Sequence, residues 1–272
     1  MLEKLSKTCV LYDNGVSLEL VYDFYECFAK EMRDFGLICI HDFLENRLSF
    51  TDFAFPLSQQ VSVACLDLPG HGQSGRAYKY EMNIWMQACI SVVNACNFRK
   101  VVWVGTGLGS AIALEMANAA PFLTAAVVLE DVRPISKYSD LGIISKIPIS
   151  KYKNFADLAQ SPELPITSFN GKLNFAIHNF EAEDDHLVTT YDPALLTLNT
   201  ETLHTSKLLE NLKHKSLIFN RDEVPLTLCP ENITVCPKSS QIGYDDNEKG
   251  LISKWIQKVL TNVKYRFAIG FG

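Results

Sequence analysis

The stretch VVWVGTGLGSAIALEMA, residues 101–117, constrains the fold of this chain most strongly. An apolar run comes first, a turn with glycines at 105, 107 and 109 follows, and the remaining apolar residues have helical spacing. Such a unit predicts a buried strand that enters a helix through a tight turn. Units of this kind build parallel sheets that helices cover on both faces. We therefore predict an α/β fold.

The same alternation of strand and helix patterns continues along most of the chain. Asn14-Gly15 joins two alternating runs and predicts an opening hairpin. Further buried strands are predicted at 36–43, from Val61 onward, and at 125–132, 215–220 and 232–236, with a helix at 82–96. A last amphipathic helix is predicted with one apolar face made by Leu251, Ile252, Trp255, Ile256 and Leu260.

The segment 134–212 differs from the rest because it is irregular and helix-like and has no buried strand pattern. We predict that residues 1–133 and 213–272 form one core and that residues 134–212 form a helical lid inserted into it. No linker rich in Gly, Ser or Pro suggests a second independent domain.

Composition excludes several classes of protein. With 272 residues, 47% hydrophobic content and a net charge of −6, the chain is neither disordered nor a nucleic-acid-binding polycation. No apolar run approaches the ~18 to 20 residues that span a bilayer, and the first residues lack a signal-peptide pattern. We therefore expect a location inside the cell, in the cytoplasm, with no transmembrane segment.

The eight cysteines are expected to be reduced thiols in that compartment. The late pair Cys229 and Cys236 does not match a zinc-binding spacing. We predict neither a structural metal nor a cofactor.

The loop Asp67-Leu68-Pro69-Gly70-His71-Gly72-Gln73-Ser74 is the most specific motif. Together with the Asn14-Gly15 hairpin, the strand end His41-Asp42-Phe43 and the turn from Gly105 to Gly109, it resembles the α/β-hydrolase superfamily over nearly the whole chain. The resemblance implies a mostly parallel sheet of eight strands with an inserted lid. Residues 178–179 and 190–194 are similar to lids of dehalogenase-like and ring-cleavage-like hydrolases.

The catalytic positions of that family are changed in this chain. The family turn G-x-S-x-G carries the nucleophilic serine, and Gly107 stands at its place. The base histidine would align with Gln241, and no histidine follows His214. The acid could be Asp131 or Asp222. Because glycine cannot attack a carbonyl and glutamine cannot act as a general base, the resemblance implies a degenerate triad.

The leading hypothesis is a pseudo-hydrolase that binds a small molecule or a protein partner. Its predicted ligand-binding residues share one site, at the ends of the strands: Asp42, Phe43, Gly107, Leu108 and Gln241. The backbone N–H groups of Phe43 and Leu108 are expected to converge where an anion could bind, with room for a ligand atom beside Gly107. The carboxylate of Asp42 is expected to be unfavourable there if it points inward.

Two alternatives stay open. A residual hydrolase or lyase could use His178, His186 or a carboxylate instead of a triad. A nucleotide or S-adenosylmethionine binder could use the loop from Gly105 to Gly109, with the acidic pair Glu130-Asp131 on a ribose, although its third glycine is replaced by Ser110. We interpret His41, His71 and Ser110 as structural residues.

Overall fold

A computed structural model describes residues 4–13, 15–29, 32–130, 132, 147–164, 166, 169–198, 205–220, 232–237 and 246–268. The candidate acids Asp131 and Asp222 and the base position Gln241 lie outside these residues. The glycine turn, the loop 67–74 and most of the predicted lid lie within them.

An eight-stranded sheet forms the centre of the fold. Its strands in chain order are β1 (Lys4–Asp13), β2 (Val16–Tyr25), β3 (Phe35–Ile40), β4 (Ser62–Leu66), β5 (Lys100–Thr106), β6 (Thr124–Glu130), β9 (Lys215–Asn220) and β10 (Ile233–Pro237). A separate hairpin is formed by β7 (Phe180–Glu183) and β8 (His186–Thr189). The order in the sheet is β1-β2-β4-β3-β5-β6-β9-β10. Among the described strands of this sheet, β2 runs opposite to the other seven, so the prediction of a mostly parallel sheet is confirmed.

Helices cover both faces of this sheet. They are α1 (Thr51–Leu57), α2 (Met82–Ala95), α3 (Leu108–Ala119), α4 (Phe155–Gln160), α5 (Phe169–Asn179), α6 (Thr205–Glu210) and α7 (Asp246–Ala268). One apolar cluster joins the sheet to α1 and α7, through side chains such as Phe53 and Ile256. A second cluster joins it to α2, α3 and α5, through Trp85, Leu114 and Phe175. Two buried faces explain the continuous apolar runs of the central strands.

The first two strands follow the sequence prediction, and the last helix departs from it at one residue. The register of β1 and β2 leaves two residues between Asp13 and Val16, and Gly15 has the positive φ of +82° that such a turn needs. In α7, Ile252 and Ile256 are fully buried, but Leu251 is 49% exposed. The predicted helix face was therefore wrong at Leu251. The buried face of α7 includes Val259, which the prediction left out, and does not include Leu251.

The predicted lid is not wholly helical. Its described part contains α4, α5 and α6, but also the β7–β8 hairpin, which turns at Asp184 with a φ of +43°. The acidic residues Glu181, Glu183 and Asp185 lie exposed on this hairpin. The predicted boundary at 133–134 lies outside the described residues.

Described residues of the predicted lid are joined to two loops of the predicted core by hydrogen bonds. The Nδ2 of Asn46 donates to the carbonyl oxygen of His178 at 2.6 Å. The backbone N–H of Asp192 donates to the carbonyl oxygen of Gly70 at 2.7 Å, and the hydroxyl of Tyr80 donates to the Asp192 carboxylate at 2.6 Å. These contacts join the segment to the parts of the chain that follow β3 and β4.

Candidate active site at the glycine turn

The turn between β5 and α3 keeps the sharp geometry of a nucleophile elbow. Gly107 has φ +50° and ψ −111°, a conformation that side chains rarely adopt. A Cβ at Gly105 would lie 2.3 Å from the carbonyl oxygen of Gly109, and a Cβ at Gly109 would lie 2.0 Å from that of Ile40. Gly105 and Gly109 are thus required by close backbone approach between α3, β5 and β3, and Gly107 by its backbone conformation.

The side chain of Asp42 fills the space in front of this turn. Its Oδ1 accepts a hydrogen bond from the backbone N–H of Phe43 at 2.7 Å and another from that of Leu108 at 2.8 Å. A Cβ at Gly107 would lie only 1.9 Å from the same oxygen. The Asp42 carboxylate therefore occupies both the anion-binding donors and the place where a nucleophile side chain would begin.

This arrangement corrects one expectation about Asp42 and another about Gly107. The inward carboxylate is not unfavourable, since it is itself the anion that the two N–H groups and the N-terminus of α3 stabilise. The space expected beside Gly107 for a ligand atom is filled by the same carboxylate. The N–H groups of Phe43 and Leu108 do converge, but on a group of the chain itself. The ligand-binding roles of Asp42, Phe43, Gly107 and Leu108 stay predictions.

Ser110 carries the nearest hydroxyl along α3, and its Oγ makes hydrogen-bond contacts with three backbone groups. The residue is completely buried, and its Oγ lies 2.8 Å from the carbonyl oxygen of Gly105 and 2.7 Å from that of Glu130. The Oγ also accepts a hydrogen bond from the N–H of Glu130 at 2.9 Å. Ser110 therefore links α3 to β5 and β6 through backbone contacts.

His41 is a buried, neutral residue. Its Nε2 accepts a hydrogen bond from the N–H of Leu68 at 3.0 Å, so the ring proton lies on Nδ1, which is 2.7 Å from the carbonyl oxygen of Asp42. Burial lowers the pKa of His41 well below its usual value, and the nearby His71 lowers it further. The ring therefore connects the ends of β3 and β4 as a neutral hydrogen-bonding group.

His71 is also buried and neutral. Its Nδ1 lies 3.1 Å from the carbonyl oxygen of Pro69, and its ring centroid lies 4.9 Å from that of His41. Burial lowers the pKa of His71 to about 4, although hydrogen bonds to the backbone carbonyls of Pro69 and Leu68 oppose the shift. Like His41, it orders its loop.

The lid histidines are placed differently. Burial lowers the pKa of His178, although the nearby Asp52 opposes the shift. His186 is 43% exposed beside Asp185 on the β7–β8 hairpin. Within the described ranges, no group of three or more His, Cys, Asp and Glu side chains could hold a metal ion. The cysteines in these ranges are free thiols.

A buried charge network supports the loop after β4, and sequence analysis did not identify it. Oδ1 of Asp67 accepts from the N–H of Arg47 at 2.7 Å, and Oδ2 accepts from that of Gln73 at 2.8 Å. The Arg47 guanidinium pairs with Asp67 and, at 3.1 Å, with Asp23. No local motif signals this network, because Asp23, Arg47 and Asp67 come from three separate segments.

A polar cavity of about 280 Å³ lies between the loop 67–74 and the predicted lid. Gly70, Ser74 and Arg76 line it from the core, and Glu181, Glu183 and Asp192 are among the residues that line it from the lid. It offers carboxylate and guanidinium groups to a ligand.

Comparison with known proteins decides the family. The sequence profile described as "Alpha/beta hydrolase family" matches residues 37–221, which include most of β3, the loop 67–74 and the glycine turn. The chain belongs to the α/β-hydrolase family. No helix in the described ranges is long and apolar enough to cross a membrane.

Individual relatives of this α/β-hydrolase family member are distant. The chain is 31% identical over 108 residues to the uncharacterized hydrolase YugF of Bacillus subtilis, covering 39% of each sequence. It is 25% identical over 127 residues to the 3-hydroxybutyrate-oligomer hydrolase of Cupriavidus necator, covering 44% of this chain and 43% of that one. The matches thus span less than half the length of these curated relatives.

Among solved structures, an alpha/beta hydrolase from Novosphingobium aromaticivorans matches with a TM-score of 0.77. The alignment covers 94% of this chain and 99% of the other at 16% identity. An identity that low establishes the shared fold alone.

Proposed function

We propose that this α/β-hydrolase-fold protein is inactive as a hydrolase at its glycine turn and acts as a binding or interaction module. The observation that carries the proposal is the position of Asp42 Oδ1, which accepts hydrogen bonds from both Phe43 and Leu108 against a glycine that has no side chain. Acyl transfer at an elbow needs a nucleophile and free donors for the oxyanion. Here Gly107 supplies no nucleophile, and the Asp42 carboxylate already accepts the hydrogen bonds of both donors.

The charge of Asp42 also opposes ester hydrolysis at this place. Attack on a carbonyl places negative charge on its oxygen, and each oxyanion donor contributes about 3 to 4 kcal/mol to its stabilisation. Two like charges ~4 Å apart repel by about 4 kcal/mol at an effective dielectric constant of about 20. The carboxylate therefore removes the stabilisation and adds a repulsion of similar size.

The names of the relatives favour a second candidate, a hydrolase that works without the triad. YugF and the 3-hydroxybutyrate-oligomer hydrolase are both named hydrolases. In that case a carboxylate such as Asp42 would activate a water molecule as a general base. The predicted alternative of nucleotide or S-adenosylmethionine binding has less support, because the N–H groups of Gly107, Leu108 and Ser110 all bond within the chain.

The polar cavity beneath the lid supports the binding half of the proposal. Its lining combines Arg76 with the carboxylates of Glu181 and Asp192, so it suits a ligand that carries both charges or several hydroxyl groups. It is lined by residues other than those of the glycine turn, and such a ligand would bind there without displacing Asp42.

The deciding experiment measures release of p-nitrophenol from short-chain p-nitrophenyl esters at high protein concentration. We expect no rate above buffer for the wild type, with a serine esterase as positive control. A wild-type rate that Asp42→Asn abolishes would overturn the proposal and support the second candidate, in which Asp42 is the base. A rate that survives Asp42→Asn but falls with Gly107→Val would place the chemistry elsewhere in the pocket and would overturn it as well.

A further inference from the structure

We propose that the Asp42 carboxylate is a built-in ligand of the two N–H groups at the glycine turn, and that its removal creates a binding site for small carboxylates. The proposal rests on the inactive elbow argued above. It adds the chemical class of molecule that the elbow can hold, and the reason why the wild type does not bind such molecules there.

The two donors come from separate elements that other contacts hold in place. Phe43 follows β3 and Leu108 begins α3, and both are fully buried. The N–H of Gly107 donates to the carbonyl oxygen of Glu130 at 3.1 Å, and Ser110 links the first turn of α3 to β5 and β6. Since none of these contacts involves Asp42, we expect the donors to stay aimed at one point when its side chain is removed.

Removal of the side chain would leave two buried N–H groups without an acceptor, which is costly in a protein interior. An anion with one oxygen at the position of Asp42 Oδ1 would restore both bonds. The Asp42 side chain is a methylene carboxylate, so the vacated space matches formate or acetate in size. A carboxylate also gains from the N-terminus of α3, a helix of 12 residues.

The Asp42 carboxylate occupies the space that a side chain at position 107 would need. A Cβ at position 107 would lie 1.9 Å from Oδ1, 2.1 Å from Cγ and 2.4 Å from Oδ2 of Asp42. Any side chain at 107 must therefore displace the carboxylate from its donors. It follows that Gly107→Ser alone does not rebuild a working elbow, and that a substitution at 107 costs less when Asp42 is already truncated.

The first experiment is a thermal unfolding series on the full chain with sodium formate, using sodium chloride at equal ionic strength as the reference. We expect Asp42→Gly to lower Tm by about 3 to 10 °C, as the loss of two hydrogen bonds to a charged group would for a chain of this size. Formate at ~100 mM should raise its Tm by about 3 °C or more over chloride if Kd is about 10 mM. The wild type should show no such difference.

Asp185→Gly is the matched control, because Asp185 is 91% exposed on the lid hairpin. It should show neither the loss nor the formate effect. Equal Tm values for Asp42→Gly in formate and chloride would overturn the proposal, as would a formate effect of the same size in the wild type. If Asp42→Gly does not fold in chloride, Asp42→Ala takes its place in the same series with the same two outcomes.

A double-mutant cycle gives a second readout that does not depend on added anions. Gly107→Ala is measured in the wild type and in the Asp42→Ala background. We expect its Tm loss to be at least twofold smaller in that background. Equal losses would show that a side chain at 107 and the Asp42 carboxylate do not compete for the same space. Ester turnover by the wild type would refute the inactive elbow without touching these binding measurements. A missing formate effect would refute the built-in ligand and leave the absence of a nucleophile unchanged.

Discussion

Two carboxylate–glycine pairs lie at neighbouring strand ends and look alike. Asp67 faces Gly72 after β4, and Asp42 faces Gly107 near the end of β3. Gly72 has φ +53° and Gly107 has φ +50°. An added Cβ would lie 2.3 Å from Asp67 Oδ2 in the first pair and 1.9 Å from Asp42 Oδ1 in the second. In both pairs the carboxylate accepts two backbone N–H groups.

The pairs differ in what else holds the carboxylate. Asp67 is fully buried and pairs with the guanidinium of Arg47, which also pairs with Asp23. Asp42 is only partly buried, and it accepts hydrogen bonds from the backbone N–H groups of Phe43 and Leu108. The first pair is thus part of the scaffold. The second pair lies at the glycine turn, where backbone N–H groups donate to the carboxylate.

Removal of the Asp67 side chain should give the largest effect. Asp67→Ala leaves the buried charge of Arg47 with one carboxylate partner fewer and two N–H groups without an acceptor. We expect a loss of about 3 to 5 kcal/mol in the free energy of unfolding, measured by urea titration with tryptophan fluorescence. A loss under about 1 kcal/mol would mean that Asp67 is no better fixed than Asp42, and the contrast would fail.

A methyl group on each glycine tests how firmly its carboxylate is held. Both Gly72→Ala and Gly107→Ala add strain at a positive φ, of about 1 to 3 kcal/mol. In Gly72→Ala the displaced Asp67 must also leave Arg47. We therefore expect Gly72→Ala to be more destabilising than Gly107→Ala by about 1 kcal/mol or more in the same urea titration. The reverse order would show that Asp42 is the more rigid group.

The loop after β4 should also dominate the pH dependence of stability. His71 has a pKa of about 4 in the folded chain, because burial disfavours its charged form, against ~6.5 when unfolded. The unfolded state then binds one more proton between these values, so stability falls as pH drops from ~6.5 to ~4 by about 3 kcal/mol. Buried His41 shifts in the same direction.

His71→Gln should reduce the slope of the unfolding free energy against pH by about 1.4 kcal/mol per pH unit, the contribution of one proton. Urea titrations at pH 7, 6 and 5 measure this slope. Asp42→Asn is the control, because it leaves both buried histidines in place, and its slope should match the wild type. An unchanged slope in His71→Gln would show that His71 is not the titrating group.

Sequence patterns were sufficient for the fold because its determinants are local. A turn with Gly15 at positive φ joins the strands of the opening hairpin, and continuous apolar runs mark strands buried on both faces. Two features depart from the sequence patterns, and each has a physical reason. Leu251 fits a helical apolar pattern but lies just beyond the contact with the sheet, and the β7–β8 hairpin is polar enough to lack the pattern of a buried strand.

The candidate site was only half predictable. The converging N–H groups of Phe43 and Leu108 followed from the motif, and the assignment of Gly107 to the nucleophile position stays a prediction. The hydrogen bonds of Asp42 did not, because they depend on the rotamer of one side chain. A signal was nevertheless present, since an aspartate directly before an anion-binding N–H, opposite a glycine, has both an acceptor and the space for it.

Neutralising the two carboxylates without changing their shape should give the smallest effect and the sharpest contrast. In Asp42→Asn the amide oxygen can still accept from Phe43 and Leu108, so the change loses charge assistance and the interaction with the N-terminus of α3, about 0.5 to 1.5 kcal/mol together. In Asp67→Asn the same change removes a charge from the pair with Arg47, and we expect at least twice that loss. Urea titration of the two variants at one pH measures the ratio. A ratio near one would mean that the carboxylate at the glycine turn is held as firmly as the scaffold pair, and that the turn could not readily exchange it for a ligand.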